Sequence, residues 1–387
     1  MIGMSAVIFI PDDTAKTGYP QPLMLQSVMG APLLAWLANA LFDSGVGRFF
    51  LVCHDRYVEA ARACLPAEAE VMTTMDSDPA DLLHVFLSTA EDAEHTITVV
   101  TGPAVYLPQL APQAAGRFPR VYGVSREELM QALDEHFSFA RFLLDNGSPM
   151  NEEQAMYSVA SPAELPEIAG LLQRNRLLAL ARTGVEIYDA SSCYVEPSVR
   201  VAPGARLLPG TMLRGKTVIG EEAVIGPWSV ADDSVIGALA VVNASQVRDS
   251  RVGQDAVVGP YASVRGGCEL GRSVRAGSFV ELKNARLGEN TQVPHLAYLG
   301  DTEAGANCNF GCGVATANFD RVQKHETVVG EGAFIGCNTA LIAPLQVGSG
   351  AYIGAGSTIT EDVPAQALGI ARARQSNKKE WAAKHKK

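Results

Sequence analysis

Residues 329–359 read VGEGAF-IGCNTA-LIAPLQ-VGSGAY-IGAGST-I, where each break marks the end of a six-residue repeat. Every segment begins with a large aliphatic residue, and glycine follows it in most of them. A helix repeats every 3.6 residues and a strand every two, so neither produces a period of six. A triangular coil does, because each of its three faces is one short strand with the aliphatic side chain inside. The stretch therefore predicts stacked coils of about 18 residues around a continuous core.

The same repeat extends back through much of the second half of the chain. Glycine tolerates positive φ, so we expect the glycines that follow the aliphatic residues to form the corners. The pattern resembles the left-handed parallel β-helix of hexapeptide-repeat transferases, and we predict this fold over residues 185–363. The earlier aliphatic positions are Val195, Val201, Leu207, Leu213, Ile219, Ile225, Val252, Val258, Val264, Leu270, Ala276 and Leu282.

Composition divides the chain at the same place. Of its 387 residues 36 are glycine, and 25 of these lie after residue 184. Residues 1–184 carry 22 acidic and 11 basic side chains, whereas residues 185–387 carry 20 of each, so the net charge of −11 belongs to the first part. This contrast predicts two differently built domains.

The first domain, residues 1–150, has an alternating pattern of apolar strands and amphipathic helices. Strands are predicted at 6–10, 49–53, 69–73 and 96–101, with helices around 33–41, 56–64 and 80–90. This order predicts a doubly wound, Rossmann-like α/β fold. Residues 151–184 are predicted to form a helical linker. Residues 364–387 are predicted to form a basic C-terminal tail, interpreted either as solvated or as an arm that attracts phosphate groups.

Several classes of protein are disfavoured. No run reaches the roughly 18 apolar residues of a membrane span. The N-terminus lacks the basic segment of a secretory signal, and the seven scattered cysteines are typical of reduced thiols, so we expect a cytoplasmic protein. Cys308 and Cys312 are close, but no second Cys or His pair completes a zinc spacing. We therefore predict no metal site and no nucleic-acid or membrane partner.

The hexads lapse from residue 311 to 328, and a loop that leaves the coil there is either a functional element or a tolerated insertion. His295 lies near Glu281 and Lys283 in sequence, less than one coil apart, so the three are predicted to share one edge. Arg265 precedes Lys283 by about one coil. Two cations on one edge favour an anionic ligand, most simply a phosphate. A structural role for His295 is the alternative.

The stretch from about 252 to 381 resembles the acetyltransferase domain of the GlmU family of bifunctional bacterial enzymes. The motifs that carry the resemblance are GPY at 259–261 before Arg265, FVELKNARLG at 279–288, HLAYLGD at 295–301, NFD at 318–320 before Lys324, AP at 343–344, GAG at 354–356 and IARARQ at 370–375. The resemblance implies acetyl-CoA-dependent N-acetylation of glucosamine 1-phosphate in UDP-N-acetylglucosamine biosynthesis, a step towards peptidoglycan and the cell wall. It also implies a homotrimer with active sites between subunits.

Carried over position by position, the resemblance implies that His295 is the general base and that Glu281 orients or polarises it. Direct attack of the amine on the thioester is implied, with a backbone N–H beside Cys312 stabilising the oxyanion. Arg265 and Lys283 would hold the sugar phosphate, and Tyr298, Asn309 and Lys324 would position the sugar. Acetyl-CoA would lie near Cys312, Asn318, Phe319, Cys337 and Ala355, and Arg372 would meet one of its phosphates.

This chain departs from the GlmU pattern at three of those positions, with Cys312, Phe319 and Cys337 where the family usually has Ala, Tyr and Ser. The lost phenol hydroxyl at Phe319 is expected to weaken acetyl-CoA binding. A cysteine nucleophile is disfavoured because neither cysteine has a histidine close to it in sequence. Three-imidazole metal chemistry is also disfavoured, since His295 and His325 have no third partner in this half.

The first domain resembles the uridylyltransferase domain of the same family, but its chemistry is degenerate. The Gly-rich loop that wraps nucleotide phosphates is replaced by Pro11-Asp12-Asp13-Thr14-Ala15-Lys16, which has no glycine and two carboxylates. Phosphate sites use glycine-loop amides and cations, and Lys16 is the domain's only lysine. We predict that uridylyl transfer is lost, so that Mg²⁺ is required only if that activity survives. The alternatives are a fully bifunctional enzyme and a non-catalytic sugar-phosphate or nucleotide sensor.

Overall fold

The computed structural model describes residues 4–74, 79–90, 95–110, 118–134 and 139–385. The chain divides into two compact units. The first is Met1–Arg182 with Val195–Pro197, and the second is Thr183–Tyr194 with Ser198–Lys387. No helix of the described residues is long and apolar enough to cross a membrane.

The first unit is built on a six-stranded sheet with helices on both faces. Its first four strands are parallel, and the last two each run antiparallel to the preceding neighbour. In spatial order the strands are Glu70–Thr74, Arg48–Cys53, Ser5–Ile10, Thr96–Val100, Val121–Ser125 and Ser148–Met150. The α-helices are Thr14–Thr17, Leu33–Asp43, Val58–Arg62, Ala80–Ser88, Arg126–Asp134, Phe139–Asn146 and Leu165–Arg182.

Apolar side chains are buried on both sides of this sheet. Phe49 and Phe50 are adjacent in one strand and fully buried, and they belong to two separate cores. The first core includes Leu37 of the helix Leu33–Asp43, and the second includes Phe86 of the helix Ala80–Ser88. Side chains in a strand alternate between faces, so a sheet covered on both sides needs continuous apolar strands. The predicted Rossmann-like α/β fold is confirmed.

The prediction of a helical linker over 151–184 is correct only for Leu165–Arg182. Met156–Ser158 is a strand that pairs antiparallel with Ala104–Tyr106. Met156 and Tyr157 are fully buried, so this stretch packs as part of the first unit and not as a connector.

The second unit is the predicted left-handed parallel β-helix, with three faces of short strands. The first face contains Glu186–Ile187, Arg206–Leu207, Val224–Ile225, Val241–Val242, Val257–Val258, Arg275–Ser278, Gln292–His295, Asn309–Phe310, Phe334–Ile335, Tyr352–Ile353 and Leu368–Gly369. The second contains Tyr194–Val195, Met212–Arg214, Val230–Asp232, Gln246–Arg248, Ser263–Arg265, Ala315–Ala317, Ala340–Ile342 and Thr358–Ile359. It also includes the first residues of Glu281–Leu287 and Tyr298–Ala304.

The last residues of those two longer strands continue onto the third face. Its other strands are Arg200–Val201, Val218–Ile219, Val235–Ile236, Arg251–Val252, Glu269–Leu270, Thr327–Val329 and Leu345–Val347. The aliphatic residues predicted to point inward are buried, except Val201, which is half-buried.

The strand register confirms the predicted coil length and locates one irregularity. Met212 pairs with Val230 and Phe334 with Tyr352, each a step of 18 residues. Asn309, however, pairs with Phe334, a step of 25. Seven additional residues therefore leave the coil within the stretch where the hexads lapse.

The predicted role of the glycines that follow the aliphatic residues is wrong for most of them. Gly220, Gly253 and Gly336 do not have positive φ. At each of them a Cβ atom would lie 2.6 Å from the backbone of the next coil, so glycine is required there by close approach. Positive φ instead falls two residues later, at non-glycine positions such as Glu222, Asp255 and Asn338.

The β-helix also continues beyond its predicted end at residue 363. Leu368–Gly369 pairs in parallel with Tyr352–Ile353, and the N–H of Thr358 donates to the Ala371 carbonyl at 3.0 Å. The segment without β pairing therefore begins at Arg372 and not at residue 364.

Candidate functional site

Five residues on successive coils form a line along one edge of the β-helix, which we call the site edge: Ser278, His295, Cys312, Cys337 and Ala355. Ser278 and His295 are register partners, and the pairings that follow extend the line in steps of 17, 25 and 18 residues. His295 is exposed at the end of the strand Gln292–His295. The predicted base and three predicted acetyl-CoA contacts therefore lie on one line.

Three basic side chains meet on the second face, on the other side of this edge. Arg265 and Lys283 are register partners on adjacent coils. Lys324 contacts Lys283, and that contact, together with the charge of Lys324, lowers the pKa of Lys283 below its ordinary value of 10.5. The Arg265 guanidinium lowers it further, whereas Asp301 opposes the shift. Positive charges held this close favour binding of an anion.

Glu281 is paired within this group. Its carboxylate accepts a hydrogen bond from Arg265 Nη2, and both side chains are partly exposed. Glu281 is the register partner of Tyr298, which places both on the edge shared with His295. The predicted grouping of carboxylate, ammonium, imidazole and phenol on one edge agrees with this register. The ion pair with Arg265 was not predicted.

Asp301 organises the polar side chains next to Lys283. It accepts hydrogen bonds from the amides of Asn284, at 2.6 Å, and Asn318. Gly300 lies beneath Tyr298 and Asn318, since a Cβ there would clash with the Tyr298 hydroxyl and lie 2.7 Å from Asn318 Nδ2. Sequence reasoning did not single out Gly300 or Asp301. The 17-residue spacing of Asn284, Asp301 and Asn318 was the available signal.

We expect Gly300→Ala to raise the KM for the anionic ligand severalfold with little change in Tm. The added methyl group meets the ends of two flexible side chains, so it displaces Tyr298 and Asn318 without moving the backbone. Steady-state kinetics and thermal unfolding test this. Gly170→Ala is the matched control, because a Cβ at Gly170 meets nothing within 4 Å. An unchanged KM in Gly300→Ala would show that these two side chains do not contact the ligand.

The seven additional residues form a small hairpin that delivers Asn318 and Lys324 to the site. Phe319 and Lys324 form an antiparallel bridge. Asp320 closes the turn by accepting from the N–H groups of Val322, at 2.7 Å, and Gln323, at 2.8 Å. His325 Nε2 lies 2.7 Å from Asp320 Oδ2. The insertion is therefore an ordered element of the site.

We expect Asp320→Asn to loosen the hairpin. The N–H of Gln323, then His325 and the N–H of Val322, lower the pKa of Asp320 from 3.8 to about 2. A lowered carboxyl pKa stabilises the fold above its ordinary value and stops doing so as pH falls through about 2. Trypsin cleavage at Arg321 should be faster in the variant at neutral pH, with Asp145→Asn on an exposed helix as control. Hydrogen exchange in the wild-type hairpin should increase only as pH falls from about 4 to 2.

Large apolar side chains lie beside the site edge. Trp228, Tyr261, Phe279 and Leu296 are 70%, 63%, 61% and 59% exposed, and all four have positive φ. The rings of Tyr261 and Phe279 stack with centroids 5.4 Å apart. Bulky residues rarely adopt positive φ, and clustered exposed apolar groups mark contact surfaces. We call these four residues the apolar edge.

The remaining predicted site residues lie around this edge. Asn309 is half-buried on the first face, one coil after Gln292. Phe319 is 60% exposed on the hairpin. Arg372 is exposed, and its Cδ lies 3.8 Å from the Cβ position of Gly356. No group of three or more His, Cys, Asp or Glu suited to a metal is found in the part of the chain that the structure describes.

In the first unit the loop after the strand Ser5–Ile10 is occupied by its own carboxylates. Asp12 accepts from the Thr14 hydroxyl at 2.7 Å and pairs with Arg56, and both interactions lower the pKa of Asp12. Asp13 accepts from the N–H of Leu23 at 2.9 Å. These carboxylates engage donors that a phosphate-binding loop would leave for its ligand.

Comparison with known families first defines the class of the second unit. Residues 326–361 match the family model described as bacterial transferase hexapeptide (six repeats). The β-helix and this match define a hexapeptide-repeat protein.

Comparison with individual proteins is more specific. The chain is 45% identical over 221 residues to the bifunctional protein GlmU of Brevibacillus brevis and 41% identical over 240 residues to that of Clostridium perfringens. These matches cover 57% and 62% of this chain and 48% and 53% of the relatives. The chain thus spans about half the length of the curated relatives it matches. The resemblance to GlmU inferred from the sequence motifs is confirmed.

Proposed function

We propose that this chain transfers the acetyl group of acetyl-CoA to the amine of glucosamine 1-phosphate, giving N-acetylglucosamine 1-phosphate for UDP-N-acetylglucosamine biosynthesis. One observation carries the proposal. His295 lies in line with Cys312, Cys337 and Ala355 on the site edge, while three cations meet across the same corner. The likeness to GlmU proteins supports this choice of substrates.

The cations set the orientation of the sugar. Arg265, Lys283 and Lys324 hold its phosphate, and Tyr298 and Asn309 contact the ring. This orientation directs the amine towards His295, whose exposed neutral imidazole accepts the proton as the amine attacks the thioester. The new C–N bond forms, the C–S bond breaks, and coenzyme A leaves as its thiolate. No covalent enzyme intermediate is required.

The backbone next to Cys312 supplies the oxyanion site. The N–H groups of Gly311 and Gly313 donate to the carbonyls of Ile335 and Leu296, both at 2.8 Å. The Cys312 N–H, between them, is not engaged in a hydrogen bond within the described part of the chain. We assign it to the tetrahedral intermediate, where such donors stabilise developing charge. Acetyl-CoA follows the site edge past Asn318 and Phe319, towards Arg372.

We also propose that the first unit has lost uridylyl transfer. The carboxylates of Asp12 and Asp13 and the pairing of Asp12 with Arg56 support this, since they oppose a triphosphate. Mg²⁺ would be needed only for that second reaction. The bifunctional alternative has the relatives' own description in its favour.

One assay separates these alternatives. The full chain is given acetyl-CoA and glucosamine 1-phosphate and coenzyme A release is recorded, and UTP with Mg²⁺ is then added and pyrophosphate is recorded. Coenzyme A release without pyrophosphate is expected. Pyrophosphate would establish the bifunctional enzyme. Binding of the sugar phosphate with neither product would identify a non-catalytic sensor.

We propose a homotrimer in which the apolar edge meets a second copy of the chain, placing the active sites between subunits. The exposure of Trp228, Tyr261 and Phe279 beside the site residues supports a partner surface there. Phe279→Asp should reduce the mass measured by sedimentation from trimer to monomer and lower activity with it. Phe118→Asp, in the first unit and 93% exposed, is the control. A trimer that persists in Phe279→Asp would place the interface elsewhere.

A further inference from the structure

The seven cysteines fall into two classes by accessibility. Cys53, Cys64, Cys193, Cys268 and Cys308 are buried, and all are free thiols. Burial raises the pKa of Cys64 to about 11 and also raises those of Cys193, Cys268 and Cys308. Such thiols are inert. Cys312, by contrast, is half-buried and Cys337 is exposed.

The two accessible cysteines are neighbours across adjacent coils. Phe310 pairs with Ile335, so the residues two positions later, Cys312 and Cys337, occupy equivalent sites. Hydrogen bonds enclose the pair, from the N–H of Gly311 to the Ile335 carbonyl and from the N–H of Asn338 to the Cys312 carbonyl, both at 2.8 Å. Neighbouring strands lie about 4.8 Å apart. That spacing is within the roughly 4.4–6.8 Å between Cα atoms that a disulfide spans.

The Cys337 side chain already leans towards the coil that carries Cys312. Its sulfur lies 2.9 Å from the position that a Cβ of Gly311 would occupy. Because Gly311 has no side chain, the sulfur can lie over its backbone. The thiol of Cys337 therefore faces the preceding coil, one residue from Cys312.

Basic groups lie on both sides of the pair along the site edge. His295 occupies the equivalent position one coil before Cys312. On the other side, the N–H of Gly356 donates to the Cys337 carbonyl at 2.8 Å, and the Arg372 side chain lies 3.8 Å from the Cβ position of Gly356. Nearby basic groups favour the reactive thiolate form of cysteine.

We propose that Cys312 and Cys337 are a redox modification site, a dithiol that closes reversibly to an intrachain disulfide on reaction with a low-molecular-weight disulfide. The Cys337 thiolate attacks one sulfur of the reagent and expels one thiol. The Cys312 thiolate then attacks the Cys337 sulfur and expels the second thiol. Two protein thiols are oxidised and one reagent disulfide is reduced, so electrons and protons balance.

The functional consequence rests on the proposed function. If acetyl-CoA lies along the site edge, a disulfide between Cys312 and Cys337 fixes two adjacent coils and alters the surface where the thioester binds. The oxidised protein should then lose acetyl transfer, and reduction should restore it. The chain would thereby respond to thiol oxidation at the step that consumes acetyl-CoA.

The dithiol is tested without reference to activity. The reduced full chain is incubated with oxidised glutathione, denatured, alkylated with iodoacetamide, digested and analysed by mass spectrometry. The Cys312 and Cys337 peptides should be linked, with the five buried cysteines alkylated, and dithiothreitol should reverse the link. Alkylation of both residues, or glutathione on each of them, would overturn the proposal. Cys312→Ala, with its fold checked by circular dichroism, should stop at a glutathione adduct on Cys337.

An activity measurement then separates this proposal from the proposed function. Coenzyme A release is compared before and after oxidation, within the wild type and within Cys312→Ala. Loss on oxidation confined to the wild type supports the regulatory role. A linked pair in a protein that is inactive even when reduced keeps the dithiol and rejects the acetyltransferase. Activity that survives complete linkage rejects the regulatory role.

Discussion

Replacing His295 by alanine should lower kcat for acetyl transfer by about 10²-fold or more, the usual contribution of a general base. The imidazole is exposed at the end of its strand, so its loss removes a proton acceptor without opening a cavity. Coenzyme A release at saturating substrates measures the effect. Circular dichroism and sedimentation should be unchanged, since no core contact is removed.

Two comparisons make this result specific. His54→Asn, an exposed histidine of the first unit, should retain full activity. The kcat of the wild type should also fall as the imidazole is protonated at acidic pH, and the residual rate of His295→Ala should lack that dependence. A kcat near the wild-type value in His295→Ala would assign the base to another residue.

Lys283→Met should lower kcat/KM for glucosamine 1-phosphate by about tenfold or more, because charge-assisted hydrogen bonds to phosphate are among the stronger polar contacts. Most of the change should appear in KM, since a phosphate held in both ground and transition states contributes uniform binding. Lys216→Met, an exposed lysine on an earlier coil, is the matched control. An unchanged KM would place the phosphate elsewhere.

The same cluster predicts a pH dependence with a definite sign. Contact with Lys324 lowers the pKa of Lys283, so Lys283 loses its charge at a lower pH than an ordinary lysine. The KM for the sugar phosphate should therefore rise on the alkaline side. In Lys324→Met the pKa of Lys283 should return upward and move that rise to higher pH, although the KM itself is larger. A rise at the same pH in both proteins would show that Lys283 is not the titrating group.

Much of the second unit followed from local spacing. The period of six predicted the coil length because each face must turn one large aliphatic side chain inward, as Leu207, Ile225 and Ile335 do. Spacings near one coil predicted that Arg265 lies beside Lys283 and Glu281 near Tyr298. The predictions were weaker where packing between coils decides. The close approach at Gly220 and the extra strand Leu368–Gly369 depend on backbone distances that composition does not encode.

The sequence by itself determined that this protein has two different units, that the second is a β-helix, and that its closest motif likeness is to GlmU. These features depend on period, composition and short motifs, which are local. Only the tertiary structure decided that Lys324 reaches Lys283, that Glu281 pairs with Arg265, and that Cys312 and Cys337 become neighbours. The physical reason is the hairpin. It lengthens one coil to 25 residues, and only the strand register shows which residues meet across it.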